Sequence, residues 1–231
     1  MTKSIFITGT DTEVGKTVIS CGLIKALQLQ MAGRRVNGYK PIAAGAEQSG
    51  DHLVNEDGIA IHAVSSGKLG YSEINPVVLE QAIAPHIAAR LEKTPVDISL
   101  MTKGLQQLKA KSDFVVVEGA GGWHVPLGEH HITMSQWVVE QQLPVLLVVG
   151  VKLGCLNHAL LTAEAIKASG ARLIGWVANV LNNDRQISDL NIQYLRDTFE
   201  APCIAKIPYQ AQLNPQSIAN HFSLNELVCK M

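Results

Sequence analysis

Two lysines, two carboxylates and a threonine are the residues of this chain whose types and spacing suit chemistry on phosphate. Gly9-Thr10-Asp11-Thr12-Glu13-Val14-Gly15-Lys16-Thr17 is bounded by glycine and ends in Gly-Lys-Thr. In a loop of this kind, main-chain N–H groups without helical partners point outward at a bound anion. Lys16 adds a positive charge near the β- and γ-phosphates of a nucleotide, and the Thr17 hydroxyl can ligate Mg²⁺. Counting back from Gly15, the usual first glycine of such a loop falls on Thr10, with Gly9 one place earlier. The loop is therefore slightly longer and more polar than the ordinary motif. The competing reading is a solvated turn carrying an exposed lysine.

Glu118 ends the apolar run Asp113-Phe114-Val115-Val116-Val117 and stands before Gly119-Ala120-Gly121-Gly122. A carboxylate at such a strand end can hold Mg²⁺ directly or through water; the alternative is a surface glutamate before a turn. Asp57 is a second candidate ligand, weighed against a simple helix N-terminal acid. Lys40 ends a predicted core strand before Pro41 and falls near the phosphate loop if that strand neighbours the first. Two lysines at one phosphate suit phosphoryl transfer to an anionic acceptor, where charge placement does most of the work. The bland reading is a solvated strand-end lysine. Gly154-Cys155-Leu156-Asn157-His158 opens a helix and offers free N–H groups to an anion such as a carboxylate. His158 and His86 read as structural before they read as functional. Trp123, Trp137 and Trp176 read as packing residues, with Trp123 the one expected to be exposed near the site.

These residues need elements to hold them. Ser4–Thr8 reads as a buried strand and 18–31 as an amphipathic helix. Arg35–Lys40 reads as a second strand. The polar stretch from Ala43 to Glu56 reads as a mobile loop, and Asn55 as the cap of a helix reaching Val64. Tyr71–Leu79 is ambiguous between a short edge strand and other structure. Ala84-Pro85-His86 opens a helical segment, and Val96–Lys109 reads as an amphipathic helix. Asp113–Glu118 is the clearest buried strand, and Thr133 or Ser135 caps a helix through Gln141. Pro144–Val149, Leu173–Val180 and Pro202–Ile207 read as strands, separated by helices from Leu156 to Ser169 and from Ile187 to Phe199. Val145-Leu146-Leu147-Val148-Val149 is apolar throughout, which suits a parallel strand covered on both faces. The alternation predicts an α/β fold of the P-loop NTPase type: one doubly wound, mostly parallel sheet with helices on both faces, in a single domain over 1–231. In such sheets ligands bind beyond the carboxyl ends of the strands. The Gly9–Thr17 loop, Lys40, Glu118 and Val149-Gly150 all fall there.

Composition narrows the function classes. The chain has 231 residues, is 47% hydrophobic and has a net charge of −1. Its lysines and arginines are scattered, which argues against a nucleic-acid partner. No apolar run reaches membrane-spanning length and the N-terminus is already a strand, so neither a membrane segment nor a signal peptide is expected. Cys21, Cys155, Cys203 and Cys229 lie far apart, as expected of reduced thiols in a cytoplasmic protein.

Several segments together resemble the dethiobiotin synthetase family, and the resemblance runs through nearly the whole chain in order. They are Gly9–Thr17, Gly38-Tyr39-Lys40-Pro41, Val117–Trp123, Gln142–Val145, Val149–Cys155, Asn157-His158-Ala159 and Gly175–Asn179. The resemblance implies an ATP- and Mg²⁺-dependent ring closure in biotin synthesis, with 7,8-diaminononanoate, CO₂ and ATP as substrates, in a homodimer. One amine takes up CO₂ as a carbamate, ATP phosphorylates it to a carbamic–phosphoric anhydride, and the neighbouring amine displaces phosphate. It further implies that Thr17, Asp57 and Glu118 hold Mg²⁺. Lys16 and Lys40 would contact phosphate and carbamate, Lys40 as the catalytic lysine, with Thr12 and Glu13 beside the diamine. The nucleotide would lie along Glu13, Val14, Gly15, Lys16, Thr17 and Val18 and along Gly119, Ala120 and Gly121. Asn179, Val180, Ile207, Pro208, Tyr209 and Gln212 would surround the nucleoside, with Asn179 at the adenine. Gly154, Cys155, Leu156 and Asn157 would receive the substrate's tail carboxylate across the dimer interface.

Two positions depart from the family pattern. Ala44 stands where a substrate-contacting serine is expected; such a hydrogen bond to a charged group is worth roughly 1.5–3 kcal/mol. Gln212 stands in place of a glutamate at the ribose. Both leave room for a paralogous ligase acting on another diamine. A nucleotide-switch ATPase of the partition or positioning type is the reading from another class. Thr10 occupies the place of that class's additional loop lysine, and Ser223–Met231 does not read as a long basic amphipathic helix. An amidating synthetase of the cobyrinate type needs a glutaminase domain, for which the residues after Ile207 are too few.

Overall fold

The computed structural model describes residues 2–128, 132–210, 214–225 and 227. In chain order its elements are β1 (Lys3–Gly9), α1 (Lys16–Gln30), β2 (Val36–Tyr39), β3 (Ile42–Ala44), β4 (Glu47–Ser49), β5 (His52–Val54), α2 (Glu56–Val64), α3 (Tyr71–Ile74) and β6 (Val77–Leu79). They continue with α4 (Pro85–Leu91), α5 (Ile98–Lys111), β7 (Phe114–Glu118), α6 (Met134–Glu140), β8 (Val145–Val151), α7 (Cys155–Ala168), β9 (Leu173–Val180), α8 (Arg185–Thr198), β10 (Cys203–Ile207) and α9 (Pro215–Ala219).

Among the described residues, six strands make one sheet in the order β10-β9-β8-β1-β7-β2, and every pairing in it is parallel. Ile5, Phe6 and Ile7, Val115 to Val117, and Val145 to Val149 are buried to within about a percent, because helices cover both faces of their strands. Right-handed crossovers place α5 to α8 on one face and α1, with α2 and α9 packed on it, on the other. The covering helices sit close. A Cβ on Gly38 of β2 would lie 2.2 Å from an Ile61 methyl of α2. Hydrogen bonds from Trp137 of α6 to Thr102 of α5, and from Trp123 to Ser169 beyond α7, tie the other layer together.

The expected α/β sheet is present, with boundaries shifted by a residue or two at several elements. Asn55 caps α2, as expected, and Thr133 rather than Ser135 caps α6. Three expectations need correction. The stretch from 43 to 56 is ordered into β3 and the β4–β5 hairpin, and β3 pairs with β6. Lys40's strand does not neighbour the first strand: β7 lies between β1 and β2, so β2 reaches the site through Glu118 of β7. Trp123 is 4% exposed; its ring meets Phe6 edge-on. An indole after a glycine-rich turn looks exposed in sequence, and only the sheet face beneath it shows otherwise.

Candidate functional site

The loop from Gly9 to Thr17 leaves the carboxyl end of β1 and enters α1. Gly15 is in the left-handed region with φ 87°, and a Cβ there would stand 2.4 Å from the Asn179 amide nitrogen. Glycine is therefore required twice over, by conformation and by space. That amide nitrogen donates to the Val14 carbonyl at 2.9 Å, so the end of β9 clamps the loop from the side. Glu13 has a φ of 57°. Thr12 and Glu13 are exposed, Val14 is buried, and Thr17 and Val18 are half-buried. Lys16 folds back over the loop and donates to the Asp11 carbonyl at 3.1 Å. Burial holds its pKa below the ordinary lysine value, Lys40 adds to that, and Glu118 opposes it.

Facing the loop is a four-residue charge cluster. Lys40 donates to Asp57 Oδ2 and to Glu118 Oε1, each at 2.7 Å, and to the Gly119 carbonyl at 3.2 Å. The Thr17 hydroxyl lies 2.6 Å from Asp57 Oδ1 and 2.9 Å from Glu118 Oε1. The Lys40 side chain is 3% exposed and that of Glu118 0%. Burial works against the charge on Lys40, but the two carboxylates outweigh it and raise its pKa. Burial likewise works against Asp57, and Lys40 with the Thr17 hydroxyl outweighs it, so the Asp57 pKa is lowered. Both shifts favour the charged forms of Lys40 and Asp57.

The donor set fits a hard divalent cation. Glu118 Oε2 is buried without a hydrogen-bond partner among the described residues, on the carboxylate whose other oxygen meets the Thr17 hydroxyl. Such an orphaned oxygen is what a cation would satisfy. Among the described residues no group of three or more His, Cys, Asp or Glu side chains is placed to hold a metal. Two carboxylates and a hydroxyl, completed by phosphate oxygens, suit Mg²⁺ rather than zinc.

The remaining predicted residues divide by strand. Gly119, Ala120 and Gly121 follow β7, Gly121 with φ 62°. Asn179, 2% exposed, and Val180 close β9, and Ile207 closes β10. Pro208 and Tyr209 are exposed, and with Val180, Asn182, Arg185 and Lys206 they line a cavity of about 310 Å³. Gln212 lies outside the described residues. Gly154, Cys155, Leu156 and Asn157 form the turn into α7 after β8, with Cys155 buried and Asn157 exposed. Strand order sets that turn three strands from Lys40, on the order of 14 Å of sheet. Ala44 is half-buried at the end of β3. Sequence reasoning missed Tyr71 and Asn75, whose side chains hydrogen-bond behind Lys40; no motif marks them.

A phosphate loop and an acidic strand end meeting at one edge of an all-parallel sheet define a nucleotide-binding protein of the P-loop class. The AAA domain family matches residues 3–217. Two solved structures share the fold. A ParA family ATPase from Chlorobium tepidum TLS is 13% identical with a TM-score of 0.57, covering 100% of this chain and 95% of that one. The septum site-determining protein MinD with Mg-ADP from Pyrococcus horikoshii OT3 is 19% identical with a TM-score of 0.58, covering 98% and 89%. At those identities the likeness is one of fold alone. Sequence likeness goes further. The ATP-dependent dethiobiotin synthetase BioD of Aliivibrio salmonicida (strain LFI1238) is 46% identical over 228 residues, 99% of each chain. BioD 1 of Escherichia coli (strain K12) is 44% identical over 225 residues, 97% of this chain and 98% of that one. The chain belongs to the dethiobiotin synthetase family.

Proposed function

We propose that this chain carries out the ATP-dependent dethiobiotin synthetase reaction of biotin biosynthesis, with the Lys40–Asp57–Glu118–Thr17 cluster at its centre. Full-length identity to the synthetases supports the reaction. The observation that carries the site assignment is Lys40 held 2.7 Å from two carboxylates at the mouth of the phosphate loop. One amine of 7,8-diaminononanoate loses a proton and bonds CO₂ as a carbamate. A carbamate oxygen attacks the γ-phosphorus and ADP leaves, giving the mixed anhydride. The second amine attacks the carbonyl carbon, the C–O bond to phosphate breaks, and the ureido ring closes with release of phosphate.

In this reading Lys16 and the loop N–H groups hold the β- and γ-phosphates, and Lys40 neutralises the carbamate as it becomes a nucleophile. Thr17, Asp57 and Glu118 would hold Mg²⁺, which would supply Lewis-acid charge neutralisation for the phosphoryl transfer. Thr12 and Glu13, exposed at the loop's crest, face the diamine. Asn179, Val180, Ile207, Pro208 and Tyr209 surround the nucleoside. The Gly154–Asn157 turn receives the tail carboxylate from the partner in a homodimer. Its distance along the sheet from Lys40 supports that division, as does the exposure of Leu153 (98%) beside it. No helix among the described residues is long and apolar enough to cross a membrane, in keeping with a cytoplasmic enzyme.

The test is phosphate release by the purified protein with MgATP and bicarbonate, with and without 7,8-diaminononanoate, and the product's mass. Diamine-dependent release with a cyclic urea is expected. Hydrolysis independent of the diamine, or none, overturns the reading and favours a paralogue with another acceptor.

A further inference from the structure

Behind the charge cluster lies a second tier of polar groups, with Asn55 and Asn75 buried and Tyr71 half-buried. The Lys40 main chain is pinned on both sides by the residues ending α3. Its N–H donates to the Ile74 carbonyl at 2.8 Å, and its carbonyl accepts from Asn75 Nδ2 at 2.8 Å. Asn75 is 1% exposed. Its Oδ1 accepts from the Tyr71 hydroxyl at 2.9 Å, and that hydroxyl accepts from the Asn55 N–H at 2.7 Å. Asn55 in turn accepts at Oδ1 from the Asp57 N–H at 3.1 Å, and its Nδ2 donates to the carbonyls of Ala44 and Gly45. A continuous hydrogen-bonded path thus runs Lys40–Asn75–Tyr71–Asn55–Asp57, with a branch to the Ala44–Gly45 segment.

A separate observation points the same way. Gly58 directly follows Asp57, and a Cβ there would lie 2.6 Å from the Tyr71 hydroxyl and 2.7 Å from Asn75 Oδ1. The pair is pressed against the turn of α2 that carries Asp57. α2 has a separate apolar seat on β2, where Ile61 lies against Gly38. A largely buried network whose bonds link Lys40's strand end to Asp57's helix rigidifies that link.

We propose that Asn55, Tyr71 and Asn75 are positioning residues that register Lys40 against Asp57 and bring the Ala44–Gly45 segment into the same frame. The inference rests on the roles given to Lys40 and Asp57 above. A misplacement of about an ångström between reacting groups costs up to about a hundredfold in rate. Tyr71→Phe keeps the ring and removes the junction of the path. It lowers kcat about tenfold while the KM for ATP stays within about twofold. Gly58→Ala, which pushes the Tyr71–Asn75 pair from the other side, gives the same split. Asn55→Ser keeps the cap on α2 but loses both donors to Ala44 and Gly45, and it raises the KM for diamine more than it lowers kcat. Val64→Ala, in the last turn of α2, serves as the control: it lowers Tm without the kcat loss. Assays run below the Tm of every variant. If kcat of Tyr71→Phe matches the parent while Lys40→Ala is inactive, the network is only structural and the inference falls alone. If Lys40→Ala also keeps full turnover, the site assignment falls and the inference falls with it.

Discussion

Lys16 and Lys40 are buried lysines at the same edge of the sheet, held there by different means. Lys16 belongs to a region built from main chain. Its loop is clamped by the Val14 carbonyl, the left-handed Gly15 and the Asn179 amide, and its ammonium reaches the Asp11 carbonyl. Burial leaves its charge under-compensated and lowers its pKa, so an arriving polyphosphate completes the site. Lys40 belongs to a region built from side chains. Its ammonium is already satisfied by Asp57 and Glu118, which raise its pKa, and its main chain is held by residues on α3. One region leaves its positive charge under-compensated; the other carries its own counter-charges.

Substituting the first lysine tests the sharpest side of that contrast. Lys16→Gln is expected to abolish diamine-dependent phosphate release, a loss on the order of 10³-fold or more, because no other side chain of the loop brings positive charge to the phosphates. Its Tm is expected to hold or rise, since the removed charge was desolvated without a hydrogen-bonded carboxylate. Near-normal turnover would remove the loop from the mechanism, and a large fall in Tm would erase the distinction between the two lysines.

Lys40→Ala is expected to act on both rate and stability. Nucleotide binding stays largely intact while turnover falls on the order of 10²-fold. The change leaves Asp57 and Glu118 facing each other, and breaking a buried pair in this way costs about 3–5 kcal/mol. Mg²⁺ added without nucleotide should recover part of that loss, read as a rise in Tm larger than in the parent. The pH dependence has a definite sign. Asp57's pKa is lowered despite its burial, chiefly by Lys40. Its pairing therefore stabilises the fold above the unfolded carboxylate pKa of about 3.9, and that contribution is lost as pH falls through the lower folded value. Without Lys40 the acid-unfolding midpoint moves to higher pH. A midpoint that does not move would mean that the cluster is not ionic in solution.

The same contrast explains what could be read before the fold was known. The phosphate loop is legible because a contiguous stretch supplies it: strand, glycine-bounded turn and helix follow one another between Ser4 and Met31. The sheet was legible for a similar reason, since Val115 to Val117 and Val145 to Val149 are apolar on both faces. The Lys40 region was only half legible. Lys40 and Glu118 stood out as charges at the ends of core strands, and Asn55 as a cap. Asp57 remained divided between ligand and helix-start acid, and it is both placed as an N-terminal acid and in contact with Thr17. Tyr71 and Asn75 gave no signal, because a hydrogen bond between residues 16 or 35 apart has no period in sequence. The three-residue strand β3 escaped notice and β6 stayed ambiguous for want of length: alternation over three positions cannot be told from chance, and their pairing is long-range.

Ala44→Ser is the smallest change and tests how finely the side-chain-built region is tuned. Ala44 ends β3, and its carbonyl accepts from Asn55 at 3.1 Å, so its main chain is fixed by the tier that holds Asp57. Its side chain is half-buried against the edge of the core. A serine adds one oxygen at a position already in register, without a new demand on the backbone. If that hydroxyl faces the diamine, the KM for diamine falls about tenfold or more with kcat unchanged, the scale of one hydrogen bond to a charged group. If it turns toward the core, KM stays level and Tm drops, because an apolar contact has gained an unpaired polar atom. A level KM with an unchanged Tm would mean that water already fills the place of the missing hydroxyl. In that case Ala44 makes no difference to affinity, and the region's contribution to the substrate lies in Lys40 and its supports.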